Sequence, residues 1–155
     1  MMKVWTALAL LLAGTWCLAS ETGKGDPLYD SLTQPRAELK CEPLGPGKVR
    51  LIVRGKADHE VVARLTDGKL GVYSLVLEDE TLAEKPQVLM EALRLNGSFS
   101  LAHLAYVNGA IYALAGHDSF EDIRDRPRLL RAMVMRVGAL ADEAQLKLQR
   151  ILETP

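Results

Sequence analysis

The sequence predicts an α+β fold in which an antiparallel sheet packs against helices, and three observations predict it. Thr66-Asp67-Gly68-Lys69 stands between two β-rich runs, and Asn108-Gly109 stands between two more. Both dipeptides tolerate the positive φ of a tight hairpin turn. The third observation lies near the C-terminus. Leu130, Val134, Val137, Ala141, Ala144, Leu148 and Ile151 recur there at spacings of four and three, the period of one helix face. Hairpins pair strands antiparallel and leave an apolar face, and an amphipathic helix needs such a face to cover, so the signals complement one another.

Residues 1–20 stand apart from this pattern. Lys3 gives a basic start, Val4 to Trp16 is almost unbroken apolar sequence, and Leu18-Ala19-Ser20 supplies small residues before Glu21. This is the pattern of a cleavable export signal, with cuts after Ala19 or Ser20 both fitting. The run is shorter than the roughly 20 residues of a spanning helix, which disfavours a retained anchor. Trp16 beside Cys17 disfavours a lipoprotein. The expected location is therefore the periplasm or the extracellular space, with no membrane span after cleavage.

The remainder is one domain's worth of chain. The 155 residues are 48% hydrophobic and 25% charged, an ordinary globular composition. Loss of Lys3 with the signal leaves 18 of the 19 basic residues against 20 acidic ones, a formal charge of −2. The cations are dispersed among acids, which argues against a nucleic-acid partner. Cleavage also leaves Cys41 without a second cysteine, so an intramolecular disulfide is excluded and a half-buried strand thiol is expected.

Residues 21–36 read as a leader, punctuated by Gly23, Gly25, Pro27 and Pro35, in which Leu28, Tyr29 and Leu32 make one helical turn docking on the body. Residues 37–155 read as a single α+β domain. Its first hairpin pairs Ala37 to Glu42 with Val49 to Arg54 across a wide Pro43 to Gly47 loop. The second pairs His59 to Leu65 with Leu70 to Leu77 across the Asp67-Gly68 turn. A helix then starts at Pro86, whose missing N–H is harmless in the first turn, and Asn96-Gly97 gives a left-handed stop. A start at Thr81 with Glu84 as a capping box would set Pro86 too deep.

In the third hairpin, Ser98 to Tyr106 and Ala110 to Gly116 pair Val107 with Ala110, Tyr106 with Ile111 and Leu104 with Ala113. Phe99, Leu101, Ala105, Tyr112 and Leu114 then share one face, and Leu104, Tyr106, Ile111 and Ala113 the other. Two apolar faces imply a pair covered on both sides or lying at an interface. The last helix begins after a capping Asp125, with Pro127 in its first turn. Leu129, Met133 and Leu140 widen its stripe, while Arg131, Arg136, Asp142, Glu143, Lys147 and Arg150 face water.

Residue types that carry chemistry do not converge. His117-Asp118-Ser119 has the types of a hydrolase triad, but consecutive loop residues do not reach its geometry. Glu78-Asp79-Glu80 and the group of Asp118, Glu121, Asp122 and Asp125 lack the ligand spacing and glycine of a calcium loop. His59 and His103 have no local second ligand for zinc. Gly45-Pro46-Gly47 is too short and proline-rich for a phosphate loop. The expectation is a non-enzyme without cofactor or metal.

The run from Val88-Leu89-Met90-Glu91-Ala92-Leu93-Arg94-Leu95-Asn96 through Gly109 to Leu140-Ala141-Asp142-Glu143 resembles the bacterial YbjN family. That family shares its fold with the type III secretion chaperones. The resemblance covers about the last 70 residues, and its most specific pieces are Leu93-x-Leu95-Asn96 and Leu140-x-Asp142-Glu143. Family members begin with a long helix, for which only Asp26 to Gln34 is available here, and secretion chaperones work in the cytoplasm. The resemblance implies a chaperone-like fold, a tendency to bind protein and a homodimer. Together with the two-faced hairpin it leads to an exported protein-binding domain, an envelope chaperone or regulatory subunit, with Leu104, Tyr106 and Ile111 as interface. The alternative is a small-ligand or lipid carrier using a cavity between the sheet and the terminal helix.

Overall fold

The computed structural model describes residues 25–33 and 39–153. In chain order the elements are α1 (Pro27–Thr33), β1 (Lys40–Gly45), β2 (Lys48–Arg54), β3 (Asp58–Thr66), β4 (Lys69–Glu78), a 3-10 turn (Leu82–Glu84), α2 (Pro86–Asn96), β5 (His103–Val107), β6 (Ala110–His117) and α3 (Pro127–Glu153). The six described strands form one sheet in the order β1-β2-β3-β4-β6-β5, antiparallel at every pairing. The α+β class with an antiparallel sheet on helices is thus the observed one. Among the described residues, no helix is long and apolar enough to cross a membrane. The proposed signal lies outside the described residues.

The three described helices lie on one side of the sheet. The long α3 crosses β2, β3, β4, β6 and β5, while α1 packs on α3, β1 and β2, and α2 packs on α3 and β5. The predicted stripe is the core of this layer: Leu130, Val134, Val137, Ala141, Ala144 and Leu148 are fully buried against Leu51, Val61, Val72 and Ala113. Gly138 sets how closely the layers approach. A Cβ there would stand 2.4 Å from Cγ1 of Val53, so only glycine lets α3 lie down on β2.

The hairpins follow local chemistry. Asp67 and Gly68 both have positive φ between β3 and β4, as do Asn108 and Gly109 between β5 and β6, and Val107, Tyr106 and Leu104 face Ala110, Ile111 and Ala113 as expected. Three expectations are corrected. The loop between β1 and β2 is only Pro46-Gly47, because β1 continues through Pro43 and Leu44 to Gly45 with a register shift; an edge strand tolerates the proline. Strand β5 begins at His103 instead of Ser98, since Leu101 at φ 66° breaks the extended backbone. Gly97 ends α2 at φ −69°, so the stop is not left-handed.

Polar side chains fix elements to each other. Asn96 donates from Nδ2 to the Leu104 carbonyl (3.1 Å) and accepts the Leu104 N–H on Oδ1, which stitches the end of α2 to β5. Asp142 was expected to face water, yet it accepts the Lys56 and Ala57 N–H groups at 3.1 and 2.9 Å. Its carboxylate thereby holds the β2–β3 turn onto α3.

The segment read as a leader contributes α1, whose Leu28 and Leu32 are fully buried in the common core. Asp26 accepts the Leu28 and Tyr29 N–H groups on one oxygen and the Gly47 N–H on the other. One carboxylate thus caps the helix and ties it to the first hairpin.

Candidate functional site: the open face of the sheet

With every described helix on one side, strand alternation leaves the second set of side chains uncovered. Across the middle of this open face the register aligns Arg50, Val62, Tyr73 and Leu114. The neighbouring row brings Leu75, Tyr112 and Ala105 together. Tyr73, Tyr112, Leu114 and Ala105 are half-buried by one another and Leu75 is 47% exposed. A contiguous apolar patch carrying two tyrosines on a sheet face has the composition common in protein contact surfaces.

Charge frames the patch. Toward β1, Arg50 bridges Glu42 and Glu60, the latter at 3.5 Å. On the other side Arg64 lies against Tyr73, whose hydroxyl is pushed up by partial burial, with the nearby Arg64 charge opposing that shift. A groove of about 550 Å³ opens beyond Tyr73, bordered by Arg64, Lys69, Gly71, Gly116 and His117.

The three residues expected at an interface separate in the structure. Leu104 and Ile111 are 6% and 1% exposed, beneath the helices, and only Tyr106 reaches the surface at 43%. A second chain therefore cannot reach all three without opening the core. Strand alternation divides the hairpin into two apolar sets, but no local signal says which set a helix will cover. What could have pointed to the open face is the run from Leu70 to Val76: Leu70, Val72 and Val76 fill the covered side while Tyr73 and Leu75 occupy the other.

The other candidates resolve into structural roles. His59 and His103 occupy opposite faces, the first buried on the covered side and the second exposed. They cannot share a metal ion. Nδ1 of His117 bonds the backbone of Ser119, 2.8 Å from its carbonyl oxygen and 3.3 Å from its N–H, so the imidazole organises a turn. Asp79 accepts the N–H and hydroxyl of Thr81 and the ammonium of Lys85. These contacts, Lys85 foremost, hold its carboxyl down at about 2. Cys41 is a half-buried thiol on β1, as expected, with its ionisation pushed up by burial.

No protein-family model and no curated protein matches the chain. Among solved structures, a chain in the heterodimeric complex ExoU-SpcU from the type III secretion system of Pseudomonas aeruginosa is similar, with a TM-score of 0.44 and 19% identity, covering 68% of this chain and 84% of that chain.

Proposed function

We propose that this chain is a non-enzymatic domain that binds protein through the open face of its sheet. The observation that supports this is the one-sided helix layer, which leaves Tyr73, Leu75, Tyr112 and Leu114 as a framed apolar patch. A sheet face of that composition gains by excluding water against a partner, at about 25 cal/mol per Å² of apolar area covered. The wider reading is an exported chaperone or regulatory subunit of the YbjN type, working in the envelope after cleavage of residues 1–20.

The carrier alternative places its ligand between the sheet and α3. The centre of that layer is closed, since Gly138 touches Val53 and the α3 stripe is fully buried. The space that remains is a groove of about 450 Å³ at its edge, bordered by the charged Arg54, Lys56, Glu143, Lys147 and Arg150.

Site-specific photo-crosslinking tests the proposal. A benzophenone side chain replacing Leu75 or Tyr112 is expected to capture protein in the native host, whereas the same group replacing the exposed Arg136 of α3 captures none. A lipid or small-molecule adduct at position 75 in place of protein would overturn the protein-binding reading, and equal protein capture from all three positions would overturn the assignment of the face.

A further inference from the structure

The open face is not uniformly apolar, and its groove end carries charge that the fold does not neutralise. Lys48 and Arg64 are Cα partners across β2 and β3, and Arg64 is in turn in register with Gly71 and Gly71 with Gly116. Like charges directly opposite on one sheet face repel. Among the described residues neither Lys48 nor Arg64 has an acidic group within ion-pair distance. Lys69 adds a third cation at the rim of the groove, 3.9 Å from a fully exposed Asp118, a contact that water weakens. Asp67 also borders the groove, at the tip of the turn.

The two glycines are a second, separate feature. Glycine weakens a strand and commonly marks a place where another backbone or a ligand comes close. Neither glycine is demanded by this chain. Neither has positive φ, and an added Cβ would meet nothing nearer than 3.9 Å at position 71 and 3.4 Å at position 116, both ordinary contacts. The paired glycines therefore make a flat floor between the cations and the Tyr73 ring that internal packing does not require.

We infer that this end of the open face receives an acidic, aromatic-bearing segment of a partner protein, its carboxylates against Lys48, Arg64 and Lys69 and its ring or backbone on the Gly71–Gly116 floor beside Tyr73. The inference rests on the protein-binding reading above and specifies the partner's chemistry. A protein segment suits the site better than a long polyanion because Glu42, Glu60, Asp67 and Asp118 border the same face and repel continuous negative charge. Isolated carboxylates between apolar side chains match the alternation of cation and ring.

The test uses the full-length chain and three short synthetic peptides in which tyrosine alternates with glutamate, glutamine or lysine, with binding followed by titration and by amide shifts of open-face residues. The glutamate peptide is expected to bind at least about tenfold more tightly than the glutamine peptide at low ionic strength, with the preference shrinking as salt is added. Lys48→Gln combined with Arg64→Gln is expected to erase the preference while tyrosine-dependent binding persists. Gly71→Thr, which places a branched side chain on the floor, is expected to weaken the glutamate peptide at least about tenfold with a melting midpoint unchanged or raised. Equal binding of the glutamate and glutamine peptides on this face would overturn the inference and leave the protein-binding reading standing. Failure of all three to perturb the face would overturn both. Tighter binding of an oligothymidylate at the same residues would replace the acidic segment with nucleic acid.

Discussion

Gly55 and Asp142 are fitted to one another: a Cβ on Gly55 would stand 2.8 Å from the carboxylate carbon of Asp142, whose oxygens take the next two backbone N–H groups of the turn. The buried His59 adds Nε2 at 3.4 Å from Oδ1. A carboxylate on a helix thus acts as the receptor for a hairpin turn, and the turn keeps a glycine so that the receptor can reach it. Asp142→Ala should cost about 2 kcal/mol, since two N–H groups lose a charged acceptor. Gly55→Ala should lose up to a comparable amount, because the added methyl pushes the Asp142 carboxylate away from those two N–H groups. Urea unfolding of each variant and of the pair checks this, and strong non-additivity in the double variant is expected.

Gly138→Ala separates packing from helix propensity. Alanine favours a helix interior by about 1 kcal/mol over glycine, so a neutral site would be stabilised. Here the methyl meets Val53, and a net loss of about 1–3 kcal/mol is expected from overpacking. Thermal melts decide the sign, and Val53→Ala in the same chain should recover part of the loss.

The acid limb of stability should report Asp79 and Asp142. Lys85 and Thr81 hold the Asp79 carboxyl down at about 2, and the Ala57 N–H, chiefly, holds Asp142 below its ordinary value. A depressed native value means that the unfolded chain takes up protons first as pH falls. The stabilisation is therefore complete above the unfolded carboxylate range near ~4 and is lost as pH falls below it, for Asp79 down to about 2. Asp79→Asn should flatten the stability profile between those limits, measured by urea midpoints at a series of pH values, with no change in its slope above pH 6.

Asn96 should behave as a piece of strand carried on a helix. Asn96→Ala removes both bonds to Leu104 and is expected to cost about 1–2 kcal/mol and to speed exchange of the Leu104 amide. Asn96→Asp keeps an acceptor but opposes the Leu104 carbonyl with negative charge, so it should be no better than alanine. If the Leu104 amide stays as protected in Asn96→Ala as in the native chain, the clamp is not what holds β5.

The parts of this molecule legible in sequence are those set by neighbours in the chain. Asp67-Gly68 and Asn108-Gly109 located two turns and the register of the third hairpin to the residue, and the α3 stripe named its buried face. What stayed hidden depends on distant pairing. Strand β4 pairs with β6 rather than with β5, which puts Tyr112 beside Leu75 and assembles the candidate site from strands far apart in sequence. The side of the hairpin that α3 covers is fixed by the same long-range choice, so Leu104 and Ile111 read as surface as readily as core. Asn96 and Asp142 were conspicuous in the family resemblance, but their spacing reveals nothing of partners 8 and 86 residues away.

The two rims of the sheet have a consequence for stoichiometry. At one rim Pro43 and a register shift interrupt β1, and at the other the Asn96 amide occupies the outward N–H and carbonyl of Leu104 in β5. Growth by adding strands has no unobstructed starting point at either rim. On the proposed reading association uses the flat side, and a flat side is used up by a single occupant. Complexes of this protein should accordingly be small and closed, one partner per chain, and concentrating the protein should saturate binding instead of nucleating fibres.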